Sequence, residues 1–284
     1  MADFKLKMKF PQQRKPDQRW ILYGLESPKR TKLPWDRIEG LFNWTMTYRE
    51  DSDIPVRYGE ICRETSSASQ KNHDYLQGKN KDTVWIVSHC STPSKREKYV
   101  EELRRFISVD IYGRCGNNVC LPSQSSKCYE KLFKEYKFYL SFENSICKDY
   151  VTEKFFNALN YDIVPVVFGG ADYRSLAPPG AFINSLDYPD PRKLAEHLKL
   201  VGSNSTLYNE HFQWKDKYKI TLQRWMCDLC EKLQTNSTVS IKFNLYQWFV
   251  EQANCKIWDS DNNFRNPELS KEELLMKLVE TTTR

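Results

Sequence analysis

The run Phe142-Glu143-Asn144-Ser145-Ile146-Cys147-Lys148-Asp149-Tyr150-Val151-Thr152-Glu153-Lys154 is the densest concentration of chemically capable side chains in the sequence. It follows an apolar stretch, Lys137 to Phe142, that reads as a buried strand. It leads into Thr152 to Asn160, where Phe155, Ala158 and Leu159 share one helical face. A strand, loop and helix in this order put free N–H groups and the positive end of a helix dipole at a strand's C-terminal edge, which favours a phosphate. Lys154 would add a full positive charge in the first turn. Asn144 and Tyr150 can donate hydrogen bonds, and Glu153 can accept them from sugar or ribose hydroxyls. The same residues also suit plain capping: Thr152 is a good N-cap, Glu153 belongs in a first turn, and Asp149 can cap. The polar density at a strand C-terminus in a parallel sheet shifts the reading toward a ligand site.

The surrounding pattern supplies that sheet. Thr83 to Ser88 is a continuous apolar strand, followed by a helix from Ser94 to Ile107 and a strand from Ser108 to Gly113. After a Cys-rich loop come a helix (Cys128 to Tyr136), the strand Lys137 to Phe142, the helix Thr152 to Asn160 and a strand from Ile163 to Phe168 closed by Gly169-Gly170. Ala181 to Asn184 reads as a fifth strand, and Pro191 to Val201 as a helix. Strands alternating with helices of this length imply an α/β fold with a parallel sheet covered on both faces. Right-handed crossovers put the strand C-termini on one edge. Upstream, Arg19 to Leu25 reads as a short buried strand, Trp35 to Trp44 as a helix and Thr45 to Tyr48 as a β-rich stretch. Residues 49–82 read as a loop and linker. The last ~70 residues look helical and mixed, ending in an amphipathic stretch from Lys271 to Glu280.

The chain has 284 residues, with 40% hydrophobic and 28% charged, a balance that suits a folded chain of two domains and excludes wholesale disorder. Its net charge of +6 resides in residues 1–37, which hold ten Lys and Arg against four Asp and Glu. A nucleic-acid-binding protein would carry its excess through the folded body, so nucleic acid is not the expected partner. No apolar run approaches the ~20 residues needed to cross a bilayer, and the start has no signal-peptide core. Nine cysteines and three sequons, at Asn43, Asn204 and Asn236, nevertheless point to an oxidising lumen. A chain shortened from a longer form reconciles the two. Cys115 and Cys120 flank the turn-forming Gly116-Asn117-Asn118 and could close it; an odd count leaves one thiol unpaired or paired outside the chain. Cys227-Asp228-Leu229-Cys230 suits a redox pair, half a zinc site or a disulfide, and no second Cys-x-x-Cys supports zinc. Asp51-Ser52-Asp53 has the form of a metal-binding acid pair, but reads as structural or acceptor-side polar residues.

The stretch Phe138 to Gly169, FYLSFENSICKDYVTEKFFNALNYDIVPVVFG, closely resembles the signature of the α1,3/4-fucosyltransferases. The resemblance extends to FNWTMTYREDSD (Phe42 to Asp53) and VSHCSTPSKREKYVEELRRF (Val87 to Phe106), and covers most of residues 19–255. It implies a GT-B architecture, two Rossmann-like domains facing a cleft. Residues 1–80 would be an incomplete acceptor-side domain and linker, 81–255 the donor-binding domain and 256–284 a helical tail. It implies donor contacts at Asn144, Tyr150, Glu153 and Lys154, with Arg96 on the pyrophosphate; without the resemblance, Arg96 reads as an ordinary solvated helix charge. Relatives mostly carry Asn where this chain has His89. Tyr48 and Arg49 are weaker candidates for the cleft wall. The reaction implied is inverting transfer of L-fucose from GDP-fucose to the 3-OH of GlcNAc in N-glycans, with no cofactor required and a divalent cation at most a stimulant. The Cys-rich loop and RWMCDLC (Arg224 to Cys230) resemble enzymes acting on the innermost GlcNAc. Similar members have a disulfide near Cys227 and Cys230, so a bridge is expected there. The family's general base lies in a segment that Met1 to Gln18 do not match, so none is assigned, and Glu26 is not promoted to that role. A form that binds GDP-fucose or a glycoprotein partner without transferring is the alternative. The full-length expectation is a Golgi-lumenal type II membrane protein, attached only through an anchor absent from this chain.

Overall fold

The structure, a computed structural model, describes residues 13–64, 73–120, 125–235, 241–242, 244–260 and 263–265. In chain order its elements are β1 (Ile21–Gly24), α1 (Trp35–Ile38), β2 (Trp44–Thr47), β3 (Glu60–Arg63), β4 (Lys81–Ile86), α2 (Arg96–Leu103), β5 (Val109–Tyr112) and α3 (Ser126–Glu135). Then follow β6 (Tyr136–Phe142), α4 (Glu153–Leu159), β7 (Val164–Phe168), α5 (Tyr173–Leu176), β8 (Ile183–Asn184), α6 (Pro191–Gly202) and α7 (Ser205–Glu210). The last elements among the described residues are β9 (Tyr218–Thr221), α8 (Trp225–Thr235), β10 (Ile257–Asp259) and β11 (Asn263–Arg265).

The central sheet is parallel, in the order β5-β4-β6-β7-β8. Its inner strands are apolar on both faces because helices cover both. Trp85, Phe138, Leu140, Val166 and Phe168 pack with Tyr99, Leu103, Leu194 and Leu198 of α2 and α6. On the opposite face, Val84 and Tyr139 meet Leu132, Phe133 and Ala158 of α3 and α4. The α/β class and the parallel sheet expected from the alternating pattern are therefore present.

Before this sheet, β1 and β2 pair in parallel with Ile21 opposite Trp44. The helix expected from Trp35 to Trp44 is a single turn. Gly40 has a φ of 70°, a left-handed conformation that turns the chain before Phe42 and lets Trp44 enter β2. The stretch expected as loop and linker contains β3, which pairs antiparallel with β9, 155 residues away at Arg63 opposite Tyr218. Short, polar strands with so distant a partner carry no local signal. Trp225 and Leu229 of α8 pack against Trp44, Met46, Ile54 and Val56, so the chain returns to the first sheet before crossing back to the second. The amphipathic stretch expected from Lys271 to Glu280 lies outside the described residues.

Three disulfides join Cys90 to Cys115, Cys120 to Cys128 and Cys147 to Cys255. Cys115 and Cys120 are bonded as expected in kind, but each to a different partner. Cys115 donates its backbone N–H to Val87 O at 3.3 Å, which places it beside the end of β4 and Cys90. Cys227 and Cys230 are exposed free thiols on α8, which corrects the bridge expected there. Their helix turns only Trp225 and Leu229 toward the apolar cluster and leaves both sulfurs in solvent. No described helix is long and apolar enough to cross a membrane.

Candidate functional site

The sheet reverses its winding between β4 and β6, since β5 lies on one side of β4 and β6 to β8 on the other. At such a reversal point, outside the C-terminal edge of the strands, sheets of this kind bind ligands in a crevice. Ser94 binds the loops after the two strands together: its N–H donates to Asn144 O at 3.0 Å and its hydroxyl to Glu143 O at 2.8 Å.

Arg96 begins α2, directly after Lys95, whose φ of 58° is left-handed. Its side chain is buried beneath the crevice rather than spread on the helix surface, with 3% exposure for the residue. The guanidinium donates to the carbonyls of Phe142 and His89, the latter at 3.4 Å, and sits 5.6 Å from the Trp85 ring centroid. Its buried Nε has no partner, and among the described residues it makes no ion pair. Burial holds its pKa below the ordinary arginine value, against the opposing attraction of Glu143. A buried cation with an unused donor is costly unless something else supplies negative charge.

The N-terminus of α4 differs from expectation. Glu143 is fully buried, and its Oε1 accepts from the Thr152 N–H at 2.8 Å and the Thr152 hydroxyl at 2.9 Å. A carboxylate thus occupies the helix end that the sequence pattern offers to a phosphate. The dipole and the capping hydrogen bonds make that the least costly place to bury an acid. Lys154 Nζ lies 3.3 Å from Glu143, 3.2 Å from Glu153 and 2.7 Å from the Thr152 hydroxyl. Burial acts to lower the Lys154 pKa, but the attraction of Glu143 and Glu153 prevails and holds it above the usual lysine value. Glu153 is exposed and paired with Lys154. Asn144 is nearly buried and accepts from the Ser145 hydroxyl at 3.1 Å.

The amino-terminal segment closes against this loop. The Ser27 hydroxyl donates to Ser145 Oγ at 2.7 Å, and the Tyr150 hydroxyl donates to Glu26 Oε2 at 3.1 Å. Tyr150 is buried, with its ring 5.0 Å edge-on from that of Tyr48. Burial first, then the charges of Glu143 and Glu26, push the Tyr150 pKa far up, so it stays a hydrogen-bond donor. Glu26 is thus the carboxylate that the structure brings to the signature loop from the other side of the crevice. The sequence carried a usable signal for it, an acid at the end of the apolar run Trp20 to Leu25, the same kind of position that marks the signature itself. His89 stands in the same neighbourhood: its pKa is held below the usual histidine value by partial burial, then by Arg30 and Arg96, with Lys154 adding to and Glu26 opposing the effect.

Other expected residues lie elsewhere. Arg49 is fully buried and does not line the crevice; its Nε and Nη2 clasp both oxygens of Asp51 at 2.8 and 2.6 Å, while Nη1 donates to the Trp248 carbonyl. Tyr48 is buried against Tyr150 and Phe249. Asp53 accepts from the N–H and hydroxyl of Thr45, both at 2.9 Å, and pairs with Lys242 at 3.0 Å. The two acids of Asp51-Ser52-Asp53 are thus committed to different protein partners. Of the sequons, Asn43 is buried, its Oδ1 accepting from Trp20 N–H at 2.9 Å and from Arg14, so a glycan has no access there. Asn204 is exposed as the N-cap of α7, and Asn236 lies outside the described residues. A cavity of about 430 Å³ opens at the ends of β7 and β8, walled by Ile146, Lys148, Gly170 and Lys256. It contains none of the expected donor residues. Gly170 is its floor, where a Cβ would fall 2.5 Å from the Cys147 carbonyl oxygen.

The family model described as "Glycosyltransferase family 10 (fucosyltransferase) C-term" matches residues 76–248, and "Fucosyltransferase, N-terminal" matches residues 2–59. The chain is 39% identical to the α-(1,3)-fucosyltransferase C of Drosophila melanogaster, over 82% of this chain and 59% of that protein. It is 40% identical to glycoprotein 3-α-L-fucosyltransferase A of the same organism, over 75% and 43%. With the human 4-galactosyl-N-acetylglucosaminide 3-α-L-fucosyltransferase 9 it shares 38% identity, over 84% and 66%. The chain therefore spans only part of each relative's length. A solved α1,3-fucosyltransferase with GDP-fucose superposes with a TM-score of 0.54 at 16% identity, covering 80% of this chain and 78% of that one, a likeness of fold.

Proposed function

The chain belongs to glycosyltransferase family 10, the fucosyltransferases, and from that premise we propose that it binds GDP-fucose at the β4/β6 crevice and transfers L-fucose with inversion to the 3-OH of GlcNAc in an N-glycan. The observation that carries this reading is the buried Arg96 guanidinium, which has an orphaned Nε and no ion-pair partner among the described residues, at the reversal point of a parallel sheet. A diphosphate supplies an acceptor oxygen for the unused Nε and adds negative charge to that of nearby Glu143. Lys154, Asn144 and Tyr150 complete the donor cradle, and exposed Glu153 is placed for ribose or sugar hydroxyls.

The reaction is a single displacement. The bond from fucose C1 to the β-phosphate oxygen breaks, the acceptor oxygen bonds to C1 from the opposite face, and the acceptor proton passes to a carboxylate. Charge growing on departing GDP falls to Arg96 and Lys154, in a transition state resembling that of glycoside cleavage. We assign the base to Glu26, which reaches the cradle from the amino-terminal side and is oriented by the Tyr150 hydroxyl. Asp51 and Asp53, bound to Arg49, Thr45 and Lys242, are not a free acid pair. Similarity to the Drosophila glycoprotein 3-α-L-fucosyltransferase A supports an acceptor carried on a glycoprotein. Three disulfides support an oxidising lumen, and we place the protein in the Golgi lumen.

Calorimetry with GDP tests the donor site: folded protein that does not bind GDP overturns the proposal. Transfer of radiolabelled fucose from GDP-fucose to an N-glycan bearing GlcNAc then separates a transferring enzyme from a donor-binding protein.

A further inference from the structure

The loop after β6 is held from behind by the segment that precedes β10. Ile146 and Lys256 form an antiparallel bridge: the Lys256 N–H donates to Ile146 O at 2.7 Å, and the Lys148 N–H donates to Ala253 O at 2.8 Å. This register sets Cys147 opposite Cys255, and the two are disulfide-bonded. Side chains alternate between the faces of such a ladder. Cys147, Ala253 and Cys255 are buried, whereas Lys148, Gln252, Asn254 and Lys256 are exposed and wall the cavity at the ends of β7 and β8. Asn254 has a φ of 45°, a left-handed conformation that asparagine tolerates. The cavity wall is therefore a stapled ladder, fixed in place before any ligand arrives.

This wall is basic and carries unused polar groups. Lys148 lies 3.6 Å from Asp51, whose two oxygens are already clasped by Arg49. Among the described residues Lys256 makes no ion pair, and the side-chain amides of Gln252 and Asn254 make no hydrogen bond. Among those residues no Asp or Glu lines the cavity, and no aromatic ring does either. Two cations with no lining acid favour an anion, and the absence of a ring leaves nothing there to stack a nucleobase. The volume of about 430 Å³ falls within the range of small-molecule sites, roughly 300–1,000 Å³.

We propose that this cavity is a second ligand site, separate from that of the nucleotide, for a small saccharide bearing one anionic group, a carboxylate or a phosphate. Lys256, with Lys148 on the same face of the ladder, meets the anion. The Gln252 and Asn254 amides each donate to and accept from sugar hydroxyls. Ile146 and Leu186 offer apolar surface to the C–H groups of the ring. The inference stands on the cavity and its ladder, independently of where GDP binds.

The test is calorimetry with glucose, glucuronate and glucose 6-phosphate on the wild-type chain, Lys256→Gln and Lys256→Arg, each with and without saturating GDP. At least one anionic sugar is expected to bind the wild type roughly tenfold more tightly than glucose, and the preferred one identifies the anion. Lys256→Gln is expected to weaken that binding by roughly tenfold, the scale of a charge-assisted hydrogen bond, while Lys256→Arg retains it. GDP affinity is expected to stay within about threefold in both variants. Anionic sugars that bind no more tightly than glucose, or an unaltered affinity in Lys256→Gln, overturn the proposal. Displacement of the sugar by GDP also overturns it, since the cavity would then belong to the nucleotide site. Protein that binds the anionic sugar through Lys256 but does not bind GDP upholds this site and overturns the donor-site reading alone.

Discussion

The Tyr150 hydroxyl and the Glu26 carboxylate meet at 3.1 Å, joining the loop after β6 to the segment after β1 across 124 positions of chain. Tyr150 is almost wholly buried, and Glu26 only partly so. The tyrosine can therefore fix the orientation of one carboxylate oxygen while the acid stays open to the crevice. Beside it, the Ser27 to Ser145 hydrogen bond repeats the connection between the same two segments. A rigid, hydrogen-bonded carboxylate facing a cation-lined crevice is the arrangement that proton abstraction from a bound hydroxyl requires.

Glu26→Gln removes the carboxylate proposed as base but keeps an oxygen to accept from Tyr150. Transfer is expected to fall by about 10²- to 10⁴-fold while GDP affinity changes by less than about threefold. Parallel turnover measurements and GDP titrations check this. Equal losses in both would show that Glu26 only holds the loop.

Lys154→Ala has two consequences because Lys154 serves two partners. Donor binding is expected to weaken by about 1–3 kcal/mol, the scale of a charged hydrogen bond. Stability falls as well, since buried Glu143 keeps its Thr152 hydrogen bonds but loses its cation. GDP titration and chemical denaturation of the same variant separate the two effects, and unchanged GDP affinity would remove Lys154 from the donor site.

How far each feature was legible depended on the range of the interaction behind it. Trp85, Phe138, Leu140, Val166 and Val167 lie in short continuous apolar runs, and burial on both faces of a parallel sheet demands such runs, so the central sheet could be read directly. Glu143 was harder. Its partners, Thr152 and Lys154, lie nine and eleven residues on, and only the folded loop shows that the acid occupies the helix end. Arg96 reads as an ordinary helix charge within Lys95-Arg96-Glu97-Lys98; its burial follows from the left-handed Lys95 and from carbonyls supplied by other loops. Tyr48 and Arg49 are adjacent in sequence, yet one packs on the signature loop while the other turns to Asp51 and Trp248.

That last contrast has a measurable consequence. Asp51→Ala leaves the Arg49 guanidinium fully buried with only the Trp248 carbonyl and ring beside it. Loss of a buried pair's partner costs about 3–5 kcal/mol, reduced here because Asp51 itself is 42% exposed, so a loss of about 2–3 kcal/mol is expected. Denaturant midpoints report the loss. GDP affinity of the folded fraction is expected to stay unchanged, and a large drop in it would return Arg49 to the crevice wall.

Lys79 predicts a pH dependence of stability that has nothing to do with the crevice. Its ammonium is buried and donates to the carbonyls of Phe133 and Tyr136 at the end of α3, the latter at 3.0 Å. Burial lowers its pKa from 10.5 to about 8. Between those values the unfolded chain binds the proton more than the folded chain does, so unfolding free energy rises with pH. From pH 8 to about pH 10 the rise attributable to Lys79 is expected to be about 2–3 kcal/mol. Above that, buried tyrosines such as Tyr136, whose pKa is raised chiefly by burial, oppose it as tyrosines of the unfolded chain ionise first. Denaturation across this window on the wild type and Lys79→Met isolates the contribution. The variant is expected to show a flatter profile, and an identical slope would mean that Lys79 keeps its proton across the whole range.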